Sequence, residues 1–256
     1  MRLFILGLFF TISQYAFSQS NNFITGSGTA IVALITKDTI WIAADSKHTI
    51  RYEKAKDTFI SINKIHNKDE VFFAFAGNVA LDNDKYNIHL DVYKIMDSVL
   101  LLGLDFKKSI DTFTSIITSL YNNVMKKYYT QEHFEIIEKG FGITLFIATI
   151  NEYGPLYSKI DYLIKRDKDN KRVLIPDSII QNTKSKLTLM GHYQKIVEKL
   201  SRPPDASDTL GSNNVSLWLT ELIRLETSNA INSPVGMPVS VVVLYKNGHI
   251  ILPLRY

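Results

Sequence analysis

A threonine follows a glycine-rich junction at Gly26-Ser27-Gly28-Thr29, and that order of residue types permits one particular reaction. A hydroxyl placed just after a peptide bond can attack that bond's own carbonyl, moving the acyl group from nitrogen to oxygen and freeing a new N-terminus. A threonine at the start of a strand is ordinarily there because a β-branched side chain fits a pleated surface, so the junction alone decides little. Two further residues add to it. Asp45 lies 16 residues on, at the end of the apolar run Thr39–Ala44. A carboxylate closing such a run is costly to bury unless it is paired, so it calls for a cation. Lys64, beyond a loop and just ahead of the apolar run Glu70–Ala76, can supply that cation.

The hydropathy pattern predicts the elements that must position these residues. Thr29–Thr36 (TAIVALIT) and Thr39–Ala44 (TIWIAA), joined by Lys37-Asp38, read as a hairpin whose start and end come together. Glu70–Ala76 is a further strand, ending at Gly77. Helical spacing runs through Val92, Ile95, Met96, Val99 and Leu100, and again from Phe106 to Val124, with a short connection at Gly103. Strand patterns return at Ile143–Ile150 and Leu156–Tyr162, around the turn 151–155, and at Leu187–Met190. Helices at His192–Leu200 and Asn213–Thr227 flank the loop Ser201–Ser212. The chain closes with Pro238–Tyr245, the turn pair Asn247-Gly248 and Ile250–Leu254. Several strands are apolar on both faces and must be covered twice. The expected fold is therefore α+β, a four-layer αββα sandwich in which two face-to-face sheets carry helices outside.

The 256 residues are 46% hydrophobic and 21% charged, which excludes a disordered or low-complexity chain. No cysteine is present, so disulfides, thiolate nucleophiles and Cys-ligated zinc are excluded together. The net charge of +4 is spread along the chain and does not point to a nucleic-acid surface. None of the six histidines pairs at a metal-binding helical spacing, so neither a metal nor a cofactor is expected. Gly140-Phe141-Gly142 lacks the third glycine of a nucleotide loop and reads as a turn. Arg2, the apolar run Leu3–Ile12 and the small residues about Ala16 and Ser18 have the layout of a secretory signal peptide. The run is half of the ~20 residues a spanning helix needs, so export without a stable membrane anchor is expected. The expected organisation is a signal peptide at 1–18, a short propeptide at 19–28 and one domain over 29–256.

Four stretches together resemble the 20S proteasome β subunits and the HslV-like peptidases of the N-terminal nucleophile (Ntn) hydrolases. They are Gly28-Thr29-Ala30-Ile31-Val32-Ala33-Leu34, Trp41-Ile42-Ala43-Ala44-Asp45-Ser46-Lys47, Asn63-Lys64-Ile65-His66 and Phe75-Ala76-Gly77-Asn78. The hairpin at Ile143–Asp161 and the closing pair from Gly236 to Gly248 are similar to that family's as well. The threonine-to-aspartate spacing matches without a gap, whereas Lys64 falls a few residues late and implies a short insertion after Lys47.

The resemblance implies cleavage of Gly28–Thr29, with Thr29 as nucleophile and its freed α-amine as general base. Lys64 would lower the hydroxyl's pKa, Asp45 would hold Lys64 charged, and the Gly77 N–H would stabilise the oxyanion. It places a substrate pocket near His48, Ile62, Phe75 and Val79, a pocket that Phe75 narrows, and it implies a peptide or small-amide substrate and a homo-oligomeric ring. Met190-Gly191-His192-Tyr193 departs from the family's Gly-Ser-Gly, with His192 in the serine's place as a replacement support for the amine. Asn232 and Val235 stand where the family has an aspartate and a serine. Two other readings stay open on the sequence: an inactive exported subunit or binding protein of the same fold, and a different Ntn hydrolase acting on a small amide.

Overall fold

The computed structural model describes residues 23–27, 29–52, 58–83, 87–128, 142–181, 186–191, 193–201, 215–227 and 235–255. The expected signal peptide, Gly28, His192 and Asn232 lie outside them. In chain order the strands β1 (Phe23–Ser27), β2 (Ala30–Ile35), β3 (Thr39–Asp45), β4 (Lys47–Tyr52), β5 (Thr58–Ser61), β6 (Ile65–Lys68), β7 (Val71–Asn83) and β8 (Ile88–Asp91) come first. Helices α1 (Val92–Leu100) and α2 (Phe106–Tyr128) follow. Then come β9 (Ile143–Asn151), β10 (Gly154–Arg166), β11 (Arg172–Gln181) and β12 (Lys186–Gly191), helices α3 (Gln194–Leu200) and α4 (Val215–Thr227), and finally β13 (Val239–Tyr245) and β14 (Gly248–Arg255).

The protein is a mixed α/β fold with antiparallel sheets. The smaller sheet has the order β12-β2-β3-β13-β14. The larger runs β11-β10-β9-β7-β1-β4-β5, with β6 and β8 also paired to β7. Strand alternation explains how apolar runs are covered on both faces. On β7, Phe73, Phe75 and Val79 join a cluster with Val92, Met96 and Val99 of α1 and Phe113 and Ile117 of α2. Their neighbours Phe72, Ala74 and Ala76 point the other way, into a second cluster with Ile31, Ala33, Ile40 and Ile42 of the smaller sheet. The opposite faces of β2 and β3, through Ala30, Val32 and Ala43, pack on Ile196 of α3 and Leu219, Leu222 and Ile223 of α4. Among the described residues no helix is long and apolar enough to cross a membrane.

Two strands outrun the sequence expectation. β7 does not end at Gly77 but continues to Asn83, because β1 and β8 satisfy its backbone there: Ser27 to Phe23 pair with Gly77 to Asp82, and Ile88 to Asp91 with Asn83 to Ala80. β10 continues to Arg166, and β11 returns along it across a turn in which the Asp167 carboxylate accepts from the Asp169 and Lys171 backbone N–H groups at 2.9 and 2.8 Å. Pro176 lies within β11, which its terminal place in the sheet permits.

Candidate active site

β7 explains why the three candidate residues meet. On its side away from β9, β6 pairs with residues 71–74 and β1 begins its pairing at Gly77. Phe75 and Ala76 lie in the gap between these strand ends. Lys64 precedes β6 and Thr29 follows β1, so the two converge on that gap from opposite directions. Asp45 arrives from the other sheet. The β2–β3 register pairs Ile31 with Ala44, which puts the end of the hairpin beside its start.

The resulting geometry is a chain of polar contacts in a dry setting. The Lys64 ammonium donates to Thr29 Oγ1 at 3.0 Å and to Asp45 Oδ1 at 3.0 Å. Thr29 and Asp45 are 0% exposed and Lys64 is 1% exposed, so water does not screen the pair. Asp45 Oδ1 also accepts from the Ala30 backbone N–H at 2.9 Å, and Oδ2 accepts from Lys47 N–H and Gly236 N–H, each at 3.1 Å. Both carboxylate oxygens are thus doubly engaged. No protein-family profile and no curated protein matches the chain.

Burial pushes the Lys64 ammonium below the ordinary lysine range, and the Asp45 charge opposes that shift. Burial likewise pushes the Asp45 carboxyl up, against Lys64 and the backbone donors from Ala30 and Gly236. A lysine so placed gives or shares a proton more readily than one in water, and its hydrogen bond to Thr29 Oγ1 favours the alkoxide side of that hydroxyl.

Glycines fit where the backbone is closest. Gly191 ends β12 opposite Ala30 with φ +75°, and a Cβ there would stand 1.7 Å from the Thr29 carbonyl oxygen. The Met190–Tyr193 stretch therefore does border Thr29, through Gly191, while His192 lies outside the described residues. Gly77 has φ +99°, and a Cβ there would stand 2.2 Å from the Gly142 carbonyl oxygen.

The expected pocket residues are placed less openly. Phe75 is fully buried, edge-on to Tyr93 at 5.0 Å and 5.5 Å from Phe113. Val79 is buried in the same cluster. His48 is buried on β4, and desolvation together with the nearby Lys64 charge lowers it to about 4. Ile62 lines a groove with Ser46, Ser61, Asn63, Pro238 and Leu252. Three contributors escaped the sequence reading: the N–H groups of Ala30, Lys47 and Gly236, which carry no side-chain signal. Tyr93 escaped it too, since the phenol that donates to the Lys64 carbonyl at 3.3 Å stands 29 residues away.

Proposed function

We propose that the protein is an exported, self-processing threonine hydrolase with the Ntn αββα sandwich, acting on peptides or small amides from Thr29. The observation that carries this reading is the buried Lys64 ammonium held 3.0 Å from both Thr29 Oγ1 and Asp45 Oδ1. The placement of β1 supports it. That strand lies antiparallel between β4 and β7, with Ser27, two residues before Thr29, opposite Gly77.

In the first reaction Thr29 Oγ attacks the Gly28 carbonyl carbon. The C–O bond forms, the C–N bond to Thr29 breaks, and the hydroxyl proton ends on the released nitrogen. Lys64 stabilises the oxygen as it loses its proton, and the Gly77 N–H faces the oxyanion, an interaction whose loss typically costs ~10²–10³ in rate. Water then hydrolyses the ester, giving the Gly28 carboxylate and restoring the hydroxyl. The freed α-amine, with an ordinary pKa near ~8, serves as general base for later substrates. A homo-oligomeric ring is compatible with this reading.

Mass spectrometry of the exported protein tests it. A mature N-terminus at Thr29 is expected, and Thr29→Ala is expected to retain residues 19–28 and to hydrolyse nothing. An intact Gly28–Thr29 bond in the wild-type protein would overturn the proposal.

A further inference from the structure

We infer that Tyr93 is a positioning residue for Lys64, setting the ammonium against Thr29 from the helix side of the larger sheet. The inference rests on the proposed hydrolase reading. Residues 62–64 form no regular structure, so the segment that carries Lys64 has no ladder to fix it. Four local ties take that place. Ile62 N–H donates to the Ser46 carbonyl at 2.9 Å, and Ile65 N–H donates to Asn63 Oδ1 at 3.1 Å. His66 Nε2 lies 3.0 Å from the Asn63 carbonyl. The fourth is the Tyr93 hydroxyl, which donates to the carbonyl of Lys64 itself at 3.3 Å.

Tyr93 is well built for this. It sits in the first turn of α1, whose Asp91 cap accepts from the Tyr93 and Lys94 N–H groups at 3.1 and 3.2 Å. Its ring packs on His66 at 4.2 Å and edge-on to Phe75 at 5.0 Å, so its rotamer is fixed on both sides. Phe75 lies in the gap that β6 and β1 leave on β7. One side chain therefore joins the lysine's backbone, through its hydroxyl, to the strand that carries Gly77 two residues later, through its ring. Burial raises the phenol above the ordinary tyrosine range, which keeps it a donor throughout the working pH range. The role differs from that of Tyr162, a phenol buried in the same cluster whose hydroxyl is engaged by Thr114 Oγ1 at 2.9 Å.

The test uses the full chain and a β-lactone, which acylates a nucleophilic hydroxyl, with mass spectrometry to place the acyl group. Tyr93→Phe is expected to slow self-cleavage and to lower the limiting acylation rate at Thr29 about three- to tenfold, the worth of one neutral hydrogen bond. The half-saturating lactone concentration stays unchanged. Tyr162→Phe removes a phenol that is fully buried, where Tyr93 is half-buried, without touching Lys64, and its acylation rate is expected to match wild type. Should Tyr93→Phe not fold, 3-fluorotyrosine at position 93 keeps the donor. Its fluorine resonance is expected to move when Thr29 is acylated, and a resonance indifferent to acylation overturns the inference. Wild-type reactivity equalled by Tyr93→Phe, or loss shared equally by Tyr162→Phe, overturns it too. A wild-type chain neither cleaved nor acylated at Thr29 overturns the hydrolase reading itself.

Discussion

Asp45→Asn separates the electrostatic role of this residue from its shape. The carboxylate accepts four donors, two on each oxygen: Ala30 N–H at 2.9 Å and Lys64 Nζ at 3.0 Å on Oδ1, Lys47 N–H and Gly236 N–H at 3.1 Å on Oδ2. An amide offers one acceptor oxygen and one donor nitrogen. Whichever way it is turned, its NH₂ group meets two donors, and Lys64 is left buried without its counter-charge. Breaking a buried pair from one side costs about 3–5 kcal/mol, and that is the loss expected at neutral pH in urea unfolding. The pH dependence supplies the sharper signature. Without Asp45, the folded state favours neutral Lys64, while the unfolded chain still binds that proton up to its ordinary pKa near ~10.4. The unfolded state then holds more protons, so the variant's stability rises with pH across the neutral and mildly alkaline range. Wild type, whose ion pair keeps Lys64 charged, should show a flatter curve over that range. A loss below about 1 kcal/mol, or a deficit that is the same at every pH, would refute the account of Asp45 as the group that keeps the lysine charged.

Two glycines give a paired test of close approach. Gly191→Ala drives a Cβ to 1.7 Å from the Thr29 carbonyl oxygen, so unfolding free energy should fall by more than about 3 kcal/mol and processing at Thr29 should stop. Gly103→Ala, at φ +64° with nothing within 4 Å, should lose only about 1 kcal/mol in the same measurement. His48, lowered from 6.5 to about 4, stays neutral in the fold while the unfolded chain takes up its proton. Stability from this residue is therefore complete above about 6.5, falls as pH drops from there to about 4, and is constant below, by roughly 2 kcal/mol after allowance for partial screening. Denaturation midpoints of His48→Gln should lack that slope.

The parts of the fold readable in the sequence are those whose burial imposes a period. β2 and β3 alternate between two cores, and α1 and α2 repeat an apolar face over Val92, Met96, Val99 and over Ile110, Phe113, Ile117. Three of the missed strands lack such a period. β5 (Thr58–Ser61) is exposed at every position, β4 mixes charge with β-branched residues, and β11 carries Pro176. β1, with Gly26 and small polar neighbours, becomes a strand through the two partners it finds. The site divides the same way. Asp45 and Lys64 are conspicuous because a charge is out of place beside an apolar strand, and Thr29 gains meaning from their company and from the glycines before it, whereas Gly236 and Tyr93 act through contacts that span 191 and 29 residues. The late position of Lys64 coincides with the β4–β5 hairpin, which lies between Lys47 and Lys64.

In strand pairing among the described residues, β4 and β5 are joined to the rest of the larger sheet only through β1. A chain severed at Gly28 would still hold its own leader by the ladders to β4 and β7, as a guest between two hosts. Once that guest leaves, a two-stranded flap, marginal when alone, faces an open rim of β7. Any extended chain able to satisfy both rims would close the sheet again, so departure of the leader and arrival of a substrate become competing occupations of one berth. Activation would then be completed by an exchange of strands, with bond cleavage only its first event.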